Sequence, residues 1–235
     1  AALCRERGVL FHSDAAQALG KIPLSASELG VDLLSFSGHK VYGPKGIGAL
    51  YVRSGRPRIR LEPLLYGGGH ERGLRAGTLP THLIVGFARA VELCVEEREA
   101  EALRLAALRD DLLRTLREHL GGVSLNGHPT RRLPGNLHVS FDGIDADQLI
   151  ADVPEVAIST GSACTSKEPR PSHVLAALGH SEERVRSGIR IGLGRGTDAE
   201  QIARAAAAIV RGVKAQRVSS GTDVYGSLRS PASSS

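Results

Sequence analysis

The sequence predicts an α/β chain in two unequal parts: part of a large domain built on a mainly parallel sheet, followed by a small C-terminal α/β domain. Three observations carry this. Short apolar runs alternate with turn and helix signals through the first 65 residues, a 3.6-residue period occupies residues 81–120, and strand-like and helix-like runs alternate again from 136 to 215.

Residues 8–13 ("GVLFHS") and 31–36 ("VDLLSF") read as buried strands, with Asp14 directly after the first. The crossover between them predicts parallel neighbours. Residues 49–52 and 58–65 read as further strands, with "SGRP" as the turn. In 81–120, Leu105, Leu108, Leu112 and Leu116 recur at three- and four-residue steps while Arg104, Asp110, Asp111 and Arg114 fill the other face, predicting one long helix or two abutting ones. Strands at 136–141, 156–159 and 188–193 then alternate with helices at 146–151, 173–178 and 198–215, the last capped by Asp198. The predicted boundaries are 1–95 for the large-domain part and 96–217 for the small domain. The Ser- and Gly-rich residues 218–235 read as a disordered tail.

Composition excludes several classes. Hydrophobic residues make up 41% of the chain, but no apolar run approaches the roughly 20 residues of a membrane span. No basic-then-apolar leader is present, so a cytoplasmic location is expected. The net charge of +5 comes mostly from arginines interspersed with Glu and Asp. The densest basic run, "RSGRPRIR", has no aromatic residue for base stacking, so nucleic acid is not an expected partner. Cys4, Cys94 and Cys164 are odd in number and widely spaced, which supports neither a disulfide framework nor a metal site. The chain lacks Met even at position 1, which suggests a piece of a longer protein or a processed product.

The stretch "SFSGHKVYGPKGIG" holds two of only five lysines. Lys40 stands just past a predicted strand end, where open α/β sheets place their ligands. An amine there can condense with a carbonyl when its surroundings let it lose its proton. Ser37, Gly38 and His39 offer a hydroxyl, a backbone amide that a ligand can approach closely, and an imidazole, a set suited to phosphate. Together they suggest pyridoxal phosphate, whose ring nitrogen needs a facing carboxylate. Asp14 is the candidate, with Gln17 placed for the ring hydroxyl. The spacing alone also allows an ordinary hairpin turn and a helix-capping Asp14, whereas a Walker loop fits poorly without Gly-Lys-Ser/Thr opening a helix.

The segments "FHSDAAQALGKIPL", "VDLLSFSGHKVYGPKGIGALYVR" and "GGGHERGLRAGTLPTH" resemble the cysteine desulfurases of the class V aminotransferase group, of the type that feeds iron-sulfur cluster assembly, over residues 8 to about 215. The resemblance implies fold type I of the pyridoxal-phosphate-dependent transferases. It places on Lys40 the cofactor linkage and the movement of the substrate's Cα proton, on Asp14 the ring nitrogen, on Gln17 the ring hydroxyl, and on Ser37 and His39 the phosphate. Thr78, in "RAGTLP", matches a threonine that reaches the phosphate of the other subunit's cofactor, which implies a homodimer.

The loop "GSACTS" matches the desulfurase nucleophile loop, making Cys164 the thiolate that takes sulfur from L-cysteine and leaves L-alanine. Cys4 and Cys94 are expected to be packing residues. Arg190, in "GIRIGLGR", matches the α-carboxylate grip, for which a planar guanidinium is suited; Arg195 is the alternative clamp or a structural ion-pair partner. The implied sulfur acceptor is an iron-sulfur scaffold protein or a sulfur relay for tRNA thiolation, and Cys164 could transiently share a cluster ligand position with the scaffold. No resident metal is expected. Arg170 stands where the family commonly has Glu, a charge reversal in the delivery loop. The family's N-terminal segment has no counterpart here, and weak or absent activity is expected of the chain by itself. Two other readings are a selenocysteine lyase or other class V enzyme, and an inactive module that only binds a partner.

Overall fold

The computed structural model describes residues 1–160 and 172–221. The chain divides into two compact units, Ala1–Ala100 and the remainder from Glu101.

The first unit opens with a short helix α1 (Ala2–Glu6), then strand β1 (His12–Asp14), helix α2 (Ala26–Leu29) and strands β2 (Leu33–Ser37) and β3 (Gly48–Val52). The sheet order is β1-β2-β3. β1 and β2 run parallel, with His12 opposite Leu33 and Asp14 opposite Ser35. β3 runs antiparallel to β2, pairing Gly48 with Ser37. This three-strand sheet is therefore mixed, because the short connection from 38 to 47 can only fold β3 back beside β2. A small core of Ala15, Val31 and Leu34 sits with Phe11, Leu24 and Phe36. Asp32 ties the strand ends together, accepting from the Phe11 backbone N–H at 2.9 Å and from Arg53 Nε at 2.7 Å. Those two contacts, the Phe11 N–H first, hold its carboxyl below the usual range.

Residues 58–65 form no strand, contrary to the sequence expectation. Pro57 precedes the run and Pro63 interrupts it, and each removes a ladder donor. Helix α3 (Thr81–His119) is a single 39-residue element.

The second unit holds β4 (Val123–Leu125), β5 (Asn136–Phe141), α4 (Ala146–Asp152), α5 (His173–Ala177), α6 (Glu182–Arg186), β6 (Gly188–Gly192) and α7 (Ala199–Ser219). The strands form an antiparallel sheet in the order β4-β5-β6. Alternation assigns its two faces. Leu137, Val139, Phe141, Ile189 and Ile191 build a core with Leu112 and Leu116 of α3 and Ile202, Ile209 and Val213 of α7. Full burial of each large aliphatic side chain contributes about 1.5–3 kcal/mol. α7 begins at a capping box between Asp198 and Gln201. At Gly212 a Cβ would stand 2.8 Å from Leu149 Cδ1, so glycine is what lets α7 approach α4.

Residues 156–159 make only an isolated bridge, Ser159 to Arg190, in place of the expected strand. The Val156 N–H turns back to the Val153 carbonyl at 3.0 Å and is lost to any ladder. α7 runs on to Ser219, past the expected end of the helix.

Arginines fasten this unit's loops. Arg104 donates to the Thr197 and Arg195 carbonyls, Arg132 to those of His128 and Asn126, Arg184 to Leu125, and Arg217 to Asp142 and Gly121. A forked, permanent cation with five donors suits such multi-carbonyl contacts. The arginine-rich composition thus has a structural use.

Candidate functional site

The parallel pairing of β1 with β2 brings Asp14 and the Ser37–Lys40 turn out at the same, C-terminal, end of the two strands. Asp14 is exposed, and its Oδ1 accepts the Ala16 N–H at 2.8 Å, which opens the following turn. This is the turn-capping use that the spacing allowed, and Oδ2 has no partner among the described residues. Gln17 Oε1 accepts from Lys21 Nζ at 2.9 Å, leaving the amide N–H groups to donate elsewhere.

Residues Gly38–Val41 form one 3-10 turn, closed by Tyr42 in the left-handed region at φ 63. Ser37 Oγ lies 3.2 Å from His39 Nδ1, so the hydroxyl and imidazole expected near a phosphate already face each other. The Gly38 N–H instead donates to the Ile47 carbonyl at 2.9 Å. It is therefore not a free phosphate donor, contrary to the sequence expectation. Glycine is still required, because a Cβ there would meet Ile47 Cγ2 at 2.8 Å and the Pro44 carbonyl at 2.9 Å. Lys40 is exposed, with no hydrogen bond or ion pair among the described residues.

Support for the turn comes from the first half of α3. Cys94 is buried, with Sγ 3.5 Å from the Val41 carbonyl, in keeping with a packing role, and Cys4 is half-buried. Gly86 leaves room for Pro44, whose Cγ would lie 3.0 Å from an added Cβ. Thr78 is exposed after Gly77 (φ 81), and Arg75 Nη1 holds the carbonyls of residues 76, 77 and 78.

A carboxylate with one free oxygen, an unpaired amine, a hydroxyl-imidazole pair and a glycine-tight turn, all at the C-terminal end of β1 and β2, fit pyridoxal phosphate. Asp14 would face the ring nitrogen, Gln17 the ring hydroxyl, Ser37 and His39 the phosphate, and Lys40 the aldehyde carbon.

In the second unit Arg190 lies on β6, exposed, on the sheet face opposite the core. Its backbone exchanges bonds with Ser159 at 2.6 and 3.2 Å, and its Nη2 donates to Ser159 Oγ at 3.2 Å. Among the described residues no carboxylate pairs with Arg190, which keeps its guanidinium available for an anion. Arg195 instead pairs with Glu101, Nε to Oε2, at 3.3 Å, the ion-pair use that the sequence also allowed. Cys164 and Arg170 lie outside the described residues.

The same sheet face carries a polar layer. Asn126 Nδ2 lies 3.0 Å from His138 Nδ1 and 2.8 Å from Ser140 Oγ, Arg184 Nε donates to Asn126 Oδ1 at 2.9 Å, and Ser140 Oγ donates to the Arg184 carbonyl at 2.6 Å. Burial first, then Arg190 and Arg132, push the His138 imidazole down to about 4. Sequence reasoning singled out neither Ser159 nor His138. Their proximity to Arg190 comes from pairing across 31 and 52 positions, which no local pattern records. The Gln17–Lys21 contact joins residues four apart at a turn of helical character.

Residues 1–205 match the family described as Aminotransferase class-V. The cysteine desulfurase IscS of Methylobacillus flagellatus is 52% identical over 200 residues, 85% of this chain and 49% of that protein. A solved structure described as a NifS-like protein superposes with a TM-score of 0.77 at 35% identity, covering 88% of this chain and 53% of the other. Another, described as SspA in complex with cysteine, gives a TM-score of 0.64 at 39% identity over 82% of this chain and 52% of the other. The chain spans about half the length of the curated relatives it matches.

Proposed function

The chain belongs to the class V aminotransferase family, and from that premise we propose that it carries the lysine and cysteine machinery of a pyridoxal-phosphate-dependent cysteine desulfurase. The observation that carries the reading is the parallel register of Asp14 with Ser35, which sets a carboxylate with one free oxygen and the unpaired Lys40 amine at the same end of the two strands. Relatives named cysteine desulfurase, and a related structure with cysteine bound, support L-cysteine as the substrate.

When bound, pyridoxal phosphate supplies an electron sink for charge developing at the substrate's Cα. Asp14 keeps the ring nitrogen protonated, and Ser37 with His39 anchors the phosphate. Lys40 removes the Cα proton. Arg190 grips the α-carboxylate through two parallel N–H donors. The Cys164 thiolate attacks the substrate sulfur, a new S–S bond forms as the Cβ–S bond breaks, and the bonding electrons stay on carbon. A proton delivered there, together with return of the Cα proton by Lys40, completes L-alanine, and Cys164 is left as a persulfide. The persulfide sulfur passes to an acceptor protein, an iron-sulfur scaffold or a relay for tRNA thiolation, in the cytoplasm. Thr78 serves the partner subunit's phosphate in a homodimer.

The test has two arms. Borohydride reduction in the presence of pyridoxal phosphate, followed by peptide mass mapping, is expected to fix the cofactor to Lys40. Sulfide release from L-cysteine is expected to survive in Cys4→Ala and Cys94→Ala and to vanish in Cys164→Ala. Undiminished release by Cys164→Ala would overturn the reading.

A further inference from the structure

We infer that His138 is a positioning residue for Arg190, held as a neutral ring with its proton on Nε2 by a one-way chain of donors running from Arg184 through Asn126. The inference rests on the reading of Arg190 as the carboxylate grip.

Direction along the chain follows from which groups can only donate. A guanidinium has no acceptor, so the Arg184 Nε contact at 2.9 Å fixes that side of the Asn126 amide as oxygen. The other side is then NH2, which donates to Ser140 Oγ at 2.8 Å and meets His138 Nδ1 at 3.0 Å. An amide NH2 cannot accept, so Nδ1 must present its lone pair. The ring proton is left on Nε2, and an imidazolium would set two donors against each other. Ser140 closes the loop by donating to the Arg184 carbonyl at 2.6 Å, which fixes Arg184 and Asn126 together.

The ring's place is fixed as well. A Cβ on Gly188 would stand 3.0 Å from His138 Cε1, so the imidazole lies against bare backbone. His138 is the Cα partner of Arg190 in the β5–β6 ladder, and Ser159 is its bridge partner on the other side. The three residues form a row with Arg190 in the middle. Directly opposed side chains on a sheet lie close enough to interact, and like charges there repel.

The charges acting on the ring are Arg190 on β6 and Arg132 in the connection from β4 to β5, both cations, with Arg184 of α6 beyond Asn126. Among the described residues no carboxylate joins them. A protonated His138 would add a cation to this set. The neutral ring instead fills the space beside Arg190 without repelling it, and the guanidinium settles on Ser159 Oγ at 3.2 Å. Arg190 is thereby presented in one position for a carboxylate.

The test uses the full chain with pyridoxal phosphate and ¹⁵N-labelled histidine. At pH 7 the His138 ring is expected to show an unprotonated Nδ1 and a protonated Nε2; a protonated Nδ1 overturns the inference. In kinetics, H138L, which keeps volume but has no acceptor, is expected to raise KM for L-cysteine about 5–10-fold at nearly unchanged kcat, the size of one lost hydrogen bond. H138N retains an acceptor near the Nδ1 position and is expected to restore KM to within about 2-fold. Equal KM values for the two variants overturn the positioning role. An unchanged KM in R190K would instead sink the carboxylate grip and the positioning role with it, while the ring's tautomer stays as observed, so the two failures differ. Should H138L not fold, H138V, which also lacks an acceptor, takes its place beside H138N, and equal KM values for that pair overturn the positioning role.

Discussion

Asp14 and Ser35 are Cα partners on parallel strands, so the carboxylate closing β1 and the Ser37–Lys40 turn closing β2 emerge at the same end of the sheet. Two features 26 positions apart become one site through a single register. Asp14→Asn keeps the Oδ1 acceptor for the Ala16 N–H and removes only the charge. Desulfurase activity is expected to fall about 100-fold or more, the usual effect of losing one preorganised electrostatic partner, with little change in the melting temperature. A similar loss of both in parallel measurements would make Asp14 structural.

Lys40 and Lys45 are both exposed in the same glycine-rich turn, yet only Lys40 follows directly on the Ser37–His39 pair. Lys40→Ala is expected to abolish borohydride-stable cofactor attachment and to lower sulfide release about 10²–10⁴-fold, the range for a lost proton-transfer group. Lys45→Ala is expected to remain within about 2-fold by the same measure. Comparable losses in both would show that the turn's charge, not one amine, matters.

What the sequence disclosed about this fold depended on the range of the interaction. The 3.6-residue period of Leu105, Leu112 and Leu116 located α3, and the Asp198 cap located the start of α7, because both are local. Residues 58–65 looked like a strand because their composition suits one, but a strand needs a partner, and Pro63 removes a donor such pairing would use. The same limit applied to the site. Lys40 and Asp14 could be named from motif and strand ends. The Gly38 N–H looked available until the Ile47 carbonyl took it, and the row of His138, Arg190 and Ser159 exists only through pairing between segments distant in sequence.

Gly38→Ala tests the tightness of the turn. The added Cβ would stand 2.8 Å from Ile47 Cγ2 and 2.9 Å from the Pro44 carbonyl, and the second of these belongs to backbone that cannot rotate away. Overpacking of this kind is expected to cost about 1–3 kcal/mol, read as a lower denaturant midpoint. An unchanged midpoint would mean the turn can open without loss.

Ser159→Ala removes the Oγ acceptor at 3.2 Å but leaves both backbone bonds to Arg190. The expected result is a KM for L-cysteine raised about 5-fold with kcat nearly unchanged, the effect of one ordinary hydrogen bond on a binding group. A fall in kcat at constant KM would place Ser159 in the chemical step and not in orientation.

Acid stability follows from His138. Its folded-state value of about 4 lies below the ordinary 6.5, so the unfolded chain takes the proton first as pH falls. The contribution is fully present above about pH 6.5 and is lost progressively between there and pH 4. Denaturant midpoints measured from pH 7.5 to 4 are expected to fall more steeply in the parent chain than in H138N, which has no ring to titrate. The sign is set by the surroundings: a half-buried ring beside Arg190 and Arg132 resists protonation, whereas a carboxylate neighbour would have reversed the slope. Superimposable pH profiles would show that the ring takes its proton as readily in the folded chain as in the unfolded one.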